Sequence, residues 1–146
     1  MKLNGAMSNH LTARAPVSGD ADLLREWYPE DTWDRDITAE DILAVDSDNH
    51  ISFVVEWKGT PISYQQYVIA SDDCWLVSEY FTKQNNYDKI NRRDYNYLKY
   101  NYPNLKYLVI RQDEATPAAR MRLARQRYSS GNFEENGLLF IEVNNG

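Results

Sequence analysis

The chain has 146 residues, 42% of them apolar and 13% aromatic, which is enough to bury one core and form one domain. No window approaches the roughly 18 consecutive apolar residues of a membrane helix, and the opening MKLNGAMSNH lacks the apolar run of a secretory signal, so no membrane role is expected. The formal charge of −6 disfavours tight, non-specific nucleic-acid binding, because phosphate would repel most of the surface.

In chain order, residues 1–9 read as an N-terminal tail and His10 to Arg14 as a short strand, closed by Pro16 and Gly19. Ser18 or Asp20 caps a helix running through Trp27, with Leu23, Leu24 and Trp27 on one face and Pro29 as its stop. Thr38-Ala39-Glu40-Asp41 is a capping-box variant opening a second short helix that carries Ile42, Leu43 and Val45. Asp46-Ser47-Asp48-Asn49 begins like a calcium loop but lacks the following glycine and the distal glutamate, and reads as a turn.

Ile51, Phe53, Val55 and Trp57 then alternate with Ser52, Val54 and Glu56, the pattern of a strand with one mainly apolar face. Lys58-Gly59-Thr60-Pro61 turns the chain into a second strand, whose alternation slips at Gln65-Gln66, where a bulge is expected. Cys74 to Phe81 reads as a third sheet strand, and residues 87–101 as a helix ended by Pro103. Lys106 to Arg111 reads as a strand, Pro117 as the start of a helix, and Leu138 to Val143 as the last strand.

Few residues suggest chemistry on their own. Cys74 stands alone, so no internal disulfide forms; a reducing compartment fits, and the thiol reads as a small buried hydrophobe. His10 and His50 lie at no ligand spacing from it, which argues against zinc. Tyr95, Tyr97, Tyr100, Tyr102 and Tyr107, interleaved with Lys99 and Lys106, have the composition of a base-stacking groove, but at this spacing such rings more often build a core. Arg120, Arg122, Arg125 and Arg127 fall on two sides of a helix and form no phosphate comb.

Charge is strongly segregated. Residues 20–48 hold eleven carboxylates against Arg25 and Arg35, and residues 83–127 hold eleven bases against four acids. Such polarity suits docking on a protein partner. Tyr and Arg, both abundant here, are favoured interface anchors.

The order β-α-α-β-β-β-α-β-α-β, with three segments in it, resembles the GCN5-related N-acetyltransferase (GNAT) superfamily. Leu11 to Ala15 with Asp20 and Leu24 is similar to its opening strand and helix. The hairpin Phe53 to Tyr64 is similar to its central hairpin, and Leu105 to Ile110 followed by Thr116 to Arg120 to its fifth strand and next helix. The resemblance implies an α/β fold, one central mixed sheet flanked by helices.

That resemblance also implies a site. Acyl-CoA pyrophosphate is expected on backbone N–H groups after the fourth strand, where glycines let the main chain approach. Here the chain has no glycine between Gly59 and Gly131. The matching stretch offers Lys83, Asn85, Asn86, Arg92 and Arg93 instead: the asparagines tolerate left-handed backbone, and the cations supply charge. Glu79 or Glu56 is the candidate general base. The position of the family's tyrosine acid falls near Arg122, with Tyr128 the nearest tyrosine. If the chain is active, acetyl-CoA is the implied cofactor; without the glycine loop, none is expected.

A narrower resemblance lies in Asp73-Cys74-Trp75-Leu76-Val77, the basic helix without a glycine loop, and the tail from Gly137 to Gly146. These are similar to small GNAT-like internal virion proteins of T7-type podophages. The implied role is a catalytically degenerate, phage-encoded component that binds a virion or host protein, in the host cytoplasm or the particle. The alternatives are an acetyl-CoA-dependent N-acyltransferase and an inhibitor that docks its acidic 20–48 segment on a host protein.

Overall fold

The computed structural model describes residues 11–33, 36–83, 96–111 and 131–144. They form one seven-stranded sheet in the order β1-β2-β3-β4-β5-β7-β6. The strands are β1 Leu11–Arg14, β2 His50–Trp57, β3 Thr60–Ser71, β4 Cys74–Thr82, β5 Tyr107–Arg111, β6 Phe133–Glu135 and β7 Leu138–Glu142. Neighbours are antiparallel except β4 and β5, which run parallel.

Local chemistry explains the first elements. The Asp20 carboxylate accepts the Val17 N–H at 2.8 Å and tightens a 3₁₀ turn, Ser18–Asp20, that leads into α1, Ala21–Trp27. The expected helix is therefore split at its start. Tyr28 is extended before Pro29, as the proline ring requires, and α1 stops there. Thr38 Oγ1 accepts the Asp41 N–H at 3.1 Å and Asp41 accepts the Thr38 N–H at 3.4 Å, closing the capping box of α2, Ala39–Leu43. Residues 46–49 turn into β2, with the His50 N–H on the Ser47 carbonyl at 3.0 Å.

The long hairpin forms as its alternation predicts. Trp57 faces Thr60 across a two-residue turn in which Lys58 (φ 53°) and Gly59 (φ 79°) both take left-handed backbone, the type I′ geometry that matches sheet twist. The irregularity expected at Gln65-Gln66 is present on the β4 side, where the β3–β4 register shifts between Gln66 and Tyr67. Gln65 and Gln66 pair regularly with Phe53 and Ser52. The extra residue on the β4 side is Ser78, and two further shifts make Ile62 surplus against β2 and Ala70 surplus against β4.

Two cores flank the sheet. One joins Phe53, Val55, Tyr67, Trp75, Val77 and Tyr80 to Leu98 and Leu105, around the helical residues 96–101. Tyr97 lies 5.1 Å from Phe53 and Tyr102 lies 4.8 Å from Trp75, ring to ring, so these tyrosines are core residues and not a stacking groove. The second core packs Leu24, Trp27, Tyr28 and Ile42 of the α1–α2 layer on Val54, Tyr64 and Phe81. Burying Leu24, Ile42 and Phe81 alone stabilises the fold by about 1.5–3 kcal/mol each. β6 was not expected. Three residues with one apolar side chain give no periodicity to detect.

Candidate functional site

The parallel pair β4 and β5 meets through three residue pairs, Cys74–Tyr107, Trp75–Leu108 and Leu76–Val109. Beyond them the strands part. β4 continues to Thr82 on β3, while Ile110 and Arg111 continue on Leu139 and Leu138 of β7. The sheet therefore opens from Val77 onward.

The Ser78 bulge decides what β4 presents there. Trp75 and Val77 face the first core, yet so does Tyr80, three residues on. The extra residue reverses the alternation, so Glu79 shares the α1–α2 face with Phe81. Glu79 lies directly opposite Gln66, and Phe81 opposite Tyr64.

A buried polar cluster results. Gln66 Nε2 donates to Tyr64 Oη at 2.8 Å and to the Ile42 carbonyl at 2.9 Å, and Ser78 Oγ donates to Gln66 Oε1 at 2.9 Å. Gln66 is 2% and Glu79 4% exposed. Burial pushes the Tyr64 hydroxyl up to about 12, with the nearby charges of Glu79 and Asp20 adding to it and hydrogen bonds to Gln66 and Ser52 opposing. Tyr64 thus stays neutral at physiological pH. At the end of β4, Thr82 Oγ1 and Tyr28 Oη are 3.3 Å apart, bonding the strand to the residue after α1.

The two candidate bases are held differently. Glu79 belongs to the cluster beside the opening. Glu56 accepts Arg14 Nε at 3.1 Å, and the same guanidinium forms a two-pronged pair with Asp20 at 2.8 and 2.9 Å. Those bonds and charges raise the Arg14 pKa despite its partial burial. Burial alone would raise Asp20, but the Arg14 bonds and the Val17 N–H outweigh it and hold the carboxyl below its ordinary range. Glu56 is therefore part of a tie between β1, β2 and α1.

Lys83 follows β4, with its N–H on the Ile62 carbonyl at 2.9 Å. Asn85, Asn86, Arg92, Arg93 and Tyr128 lie outside the described residues, as do most of the helix expected over 87–101 and the one expected from Pro117. At the opposite end of the sheet, Asp73, Pro103, Asn104, Lys106 and Asn144 line a cavity of about 320 Å³. Asn144 Nδ2 there donates to the Tyr102 and Leu105 carbonyls at 3.0 and 2.8 Å, closing the loop before β5. Sequence reasoning missed the Tyr64–Gln66–Ser78 cluster. Its one visible signal was a pair of glutamines inside an otherwise apolar strand.

No protein-family model matches the sequence, and no curated protein matches it. Solved structures do match. YhhK from E. coli, solved bound to coenzyme A, superposes with a TM-score of 0.63 over 97% of this chain and 99% of that one, at 12% identity. The spermidine N-acetyltransferase SpeG from Vibrio cholerae gives 0.60, over 92% and 95%, at 14% identity. The ribosomal-protein-S18-alanine N-acetyltransferase from Escherichia coli gives 0.57, over 93% and 96%, at 10%.

The fold is GNAT-like.

At such identity the likeness is one of architecture. The acceptors named for two of these proteins, spermidine and an alanine of ribosomal protein S18, differ from each other. A GNAT-like frame therefore does not choose a substrate, and side chains must.

Proposed function

We propose that this chain keeps a GNAT-like frame and uses it to hold another protein, as a phage-encoded component of virion assembly, without transferring an acetyl group. The carrying observation is the stretch joining β4 to β5. Residues 83–106 contain no glycine, so backbone cannot come as close to a pyrophosphate as a glycine loop allows. Two features add support. Glu79, the better placed acid, is almost wholly buried, and Glu56 is held by Arg14. The narrower resemblance to internal virion proteins supplies the phage context.

The acyltransferase reading keeps one specific observation in its favour, the parting of β4 and β5 with Glu79 beside it. In that reading acetyl-CoA would bind beside the parting of β4 and β5, Lys83 would supply charge for its phosphates, and Glu79 would take the proton of an amine. The inhibitor reading rests on the charge of residues 20–48 alone, and part of that charge is already engaged. Asp20 is already bound by Arg14, and Arg25 holds Glu30 and Glu40.

Thermal unfolding with millimolar acetyl-CoA or free CoA separates the first two. A ligand at 100 times its dissociation constant adds about 2.7 kcal/mol, a rise of roughly 6–10 °C for a chain this size. No shift is expected. A clear shift, with amine acetylation lost in Glu79→Gln, would establish the transferase instead.

A further inference from the structure

β6 closes the sheet on the side away from β1, and no described strand lies along its outer edge. All three of its residues are exposed. Its inner side pairs Phe133 with Phe140, Glu134 with Leu139 and Glu135 with Leu138. Phe133 stacks on Phe140 with centroids 4.6 Å apart and planes 5° from parallel. Tyr107 stands perpendicular to both rings, at 5.4 and 5.9 Å. The row of rings thus crosses β5, β7 and β6 and ends at the open edge, where Phe133 remains 40% exposed.

We propose that the β6 edge is a docking site for an extended segment of another protein, one alternating basic and apolar side chains. This deepens the functional reading above and rests on it, by naming the surface and the chemistry of the partner. An added strand gains main-chain hydrogen bonds along β6, and its alternate side chains fall on the two faces of the sheet. Phe133 and Glu135 share one face. Phe133 is stacked on Phe140 yet 40% exposed, so its ring can attract an ammonium or guanidinium of the partner. Glu135 then meets a cation two residues along the incoming strand.

The same residues argue against the other occupant of such an edge, a second copy of this chain. Self-pairing would set Glu134 and Glu135 against the same carboxylates, and like charges opposed across strands repel. Short, acidic edges resist indiscriminate pairing for this reason. The acids that exclude self-association select a basic partner. The hairpin is also firmly set, since Asn136 (φ 54°) and Gly137 (φ 77°) form the two-residue turn that fixes strand register.

The test is an NMR titration of the full-length, ¹⁵N-labelled protein with two blocked octapeptides, one alternating lysine and valine, the other glutamate and valine. Saturable shifts at residues 133–135 with the lysine peptide are expected, and binding weaker by about ten-fold or more with the glutamate peptide. Glu135→Lys, at an exposed position that leaves the fold intact, should abolish the preference, and Phe133→Ala should weaken the lysine peptide. Equal affinity for the two peptides, shifts confined elsewhere, or no saturable binding would overturn the proposal. Acetyl-CoA added to the same sample reports on the functional reading separately. Shifts along β4 with acetyl-CoA would overturn that reading, whichever way the peptides behave.

Discussion

Strands β2, β3 and β4 are eight, twelve and nine residues long and pair along most of their lengths, whereas β5, β6 and β7 have five, three and five. The first half is tied to the α1–α2 layer by buried contacts of several kinds. Tyr28, Tyr64 and Phe81 pack together, Gln66 reaches the Ile42 carbonyl, and Arg14 binds Asp20 and Glu56. The second half joins the first through three β4–β5 pairs and one shared apolar core, and its outer strand is exposed. The contrast separates the more extensively tied half of a GNAT-like frame from the half that the proposal above assigns to recognition.

The largest expected effect tests that division. Phe81, wholly buried between Tyr28, Trp33 and Tyr64, should cost about 3–5 kcal/mol when cut to alanine. Phe140 is only half-buried, and its alanine variant should cost about 1–2 kcal/mol, since less surface leaves contact. Urea unfolding of both variants measures the difference. Equal losses would mean the two halves share stability, and the division would fail.

How much of this contrast was readable in advance depends on the distance over which each contact acts. The Thr38–Asp41 box and the Lys58-Gly59 turn involve neighbours within four residues, and the sequence displays both. The alternation of Ile51, Phe53, Val55 and Trp57 likewise states its own face. The slip at Gln65-Gln66 is visible in β3, but the residue that makes the bulge is not, because an extra residue is defined only against a partner strand: Ser78 is surplus relative to β3, and nothing in β4 itself marks it. Arg14 and Glu56 are 42 residues apart, and Gln66 and Ile42 are 24 apart. Buried polar groups must be satisfied, but local sequence does not say by whom. For the candidate site, Glu79 and Lys83 could be named from position along a resembling fold. The closure of Glu79 beneath the α1–α2 layer could not.

A smaller change sharpens the comparison through pH. Asp20→Asn removes the charge that Arg14 grips and should cost about 2–3 kcal/mol at neutral pH, less than a fully buried pair because Arg14 is partly exposed. The folded carboxyl titrates below its ordinary value of 3.8. Its stabilisation is therefore complete above that value and is lost as pH falls through the lower folded one. Denaturation midpoints of the wild type should drop below about pH 4 more steeply than those of Asp20→Asn. Parallel curves would show that the tie between β1, β2 and α1 contributes little, and packing alone would then distinguish the halves.

The smallest effect probes the open end directly. Gly137 takes φ 77°, and a methyl group added there would meet nothing within 4 Å. Gly137→Ala therefore isolates backbone strain from packing, and about 1 kcal/mol is the expected cost. Because β6 pairs with β7 alone among the described strands, that cost should appear as local opening. Amide exchange should quicken in residues 133–142 while β2, β3 and β4 keep their protection, since sub-global opening follows the pattern of contacts. Uniformly faster exchange would couple the turn to the whole sheet. In that case an edge-bound partner would stabilise β1–β4 as well, and docking at β6 would be felt beside Glu79.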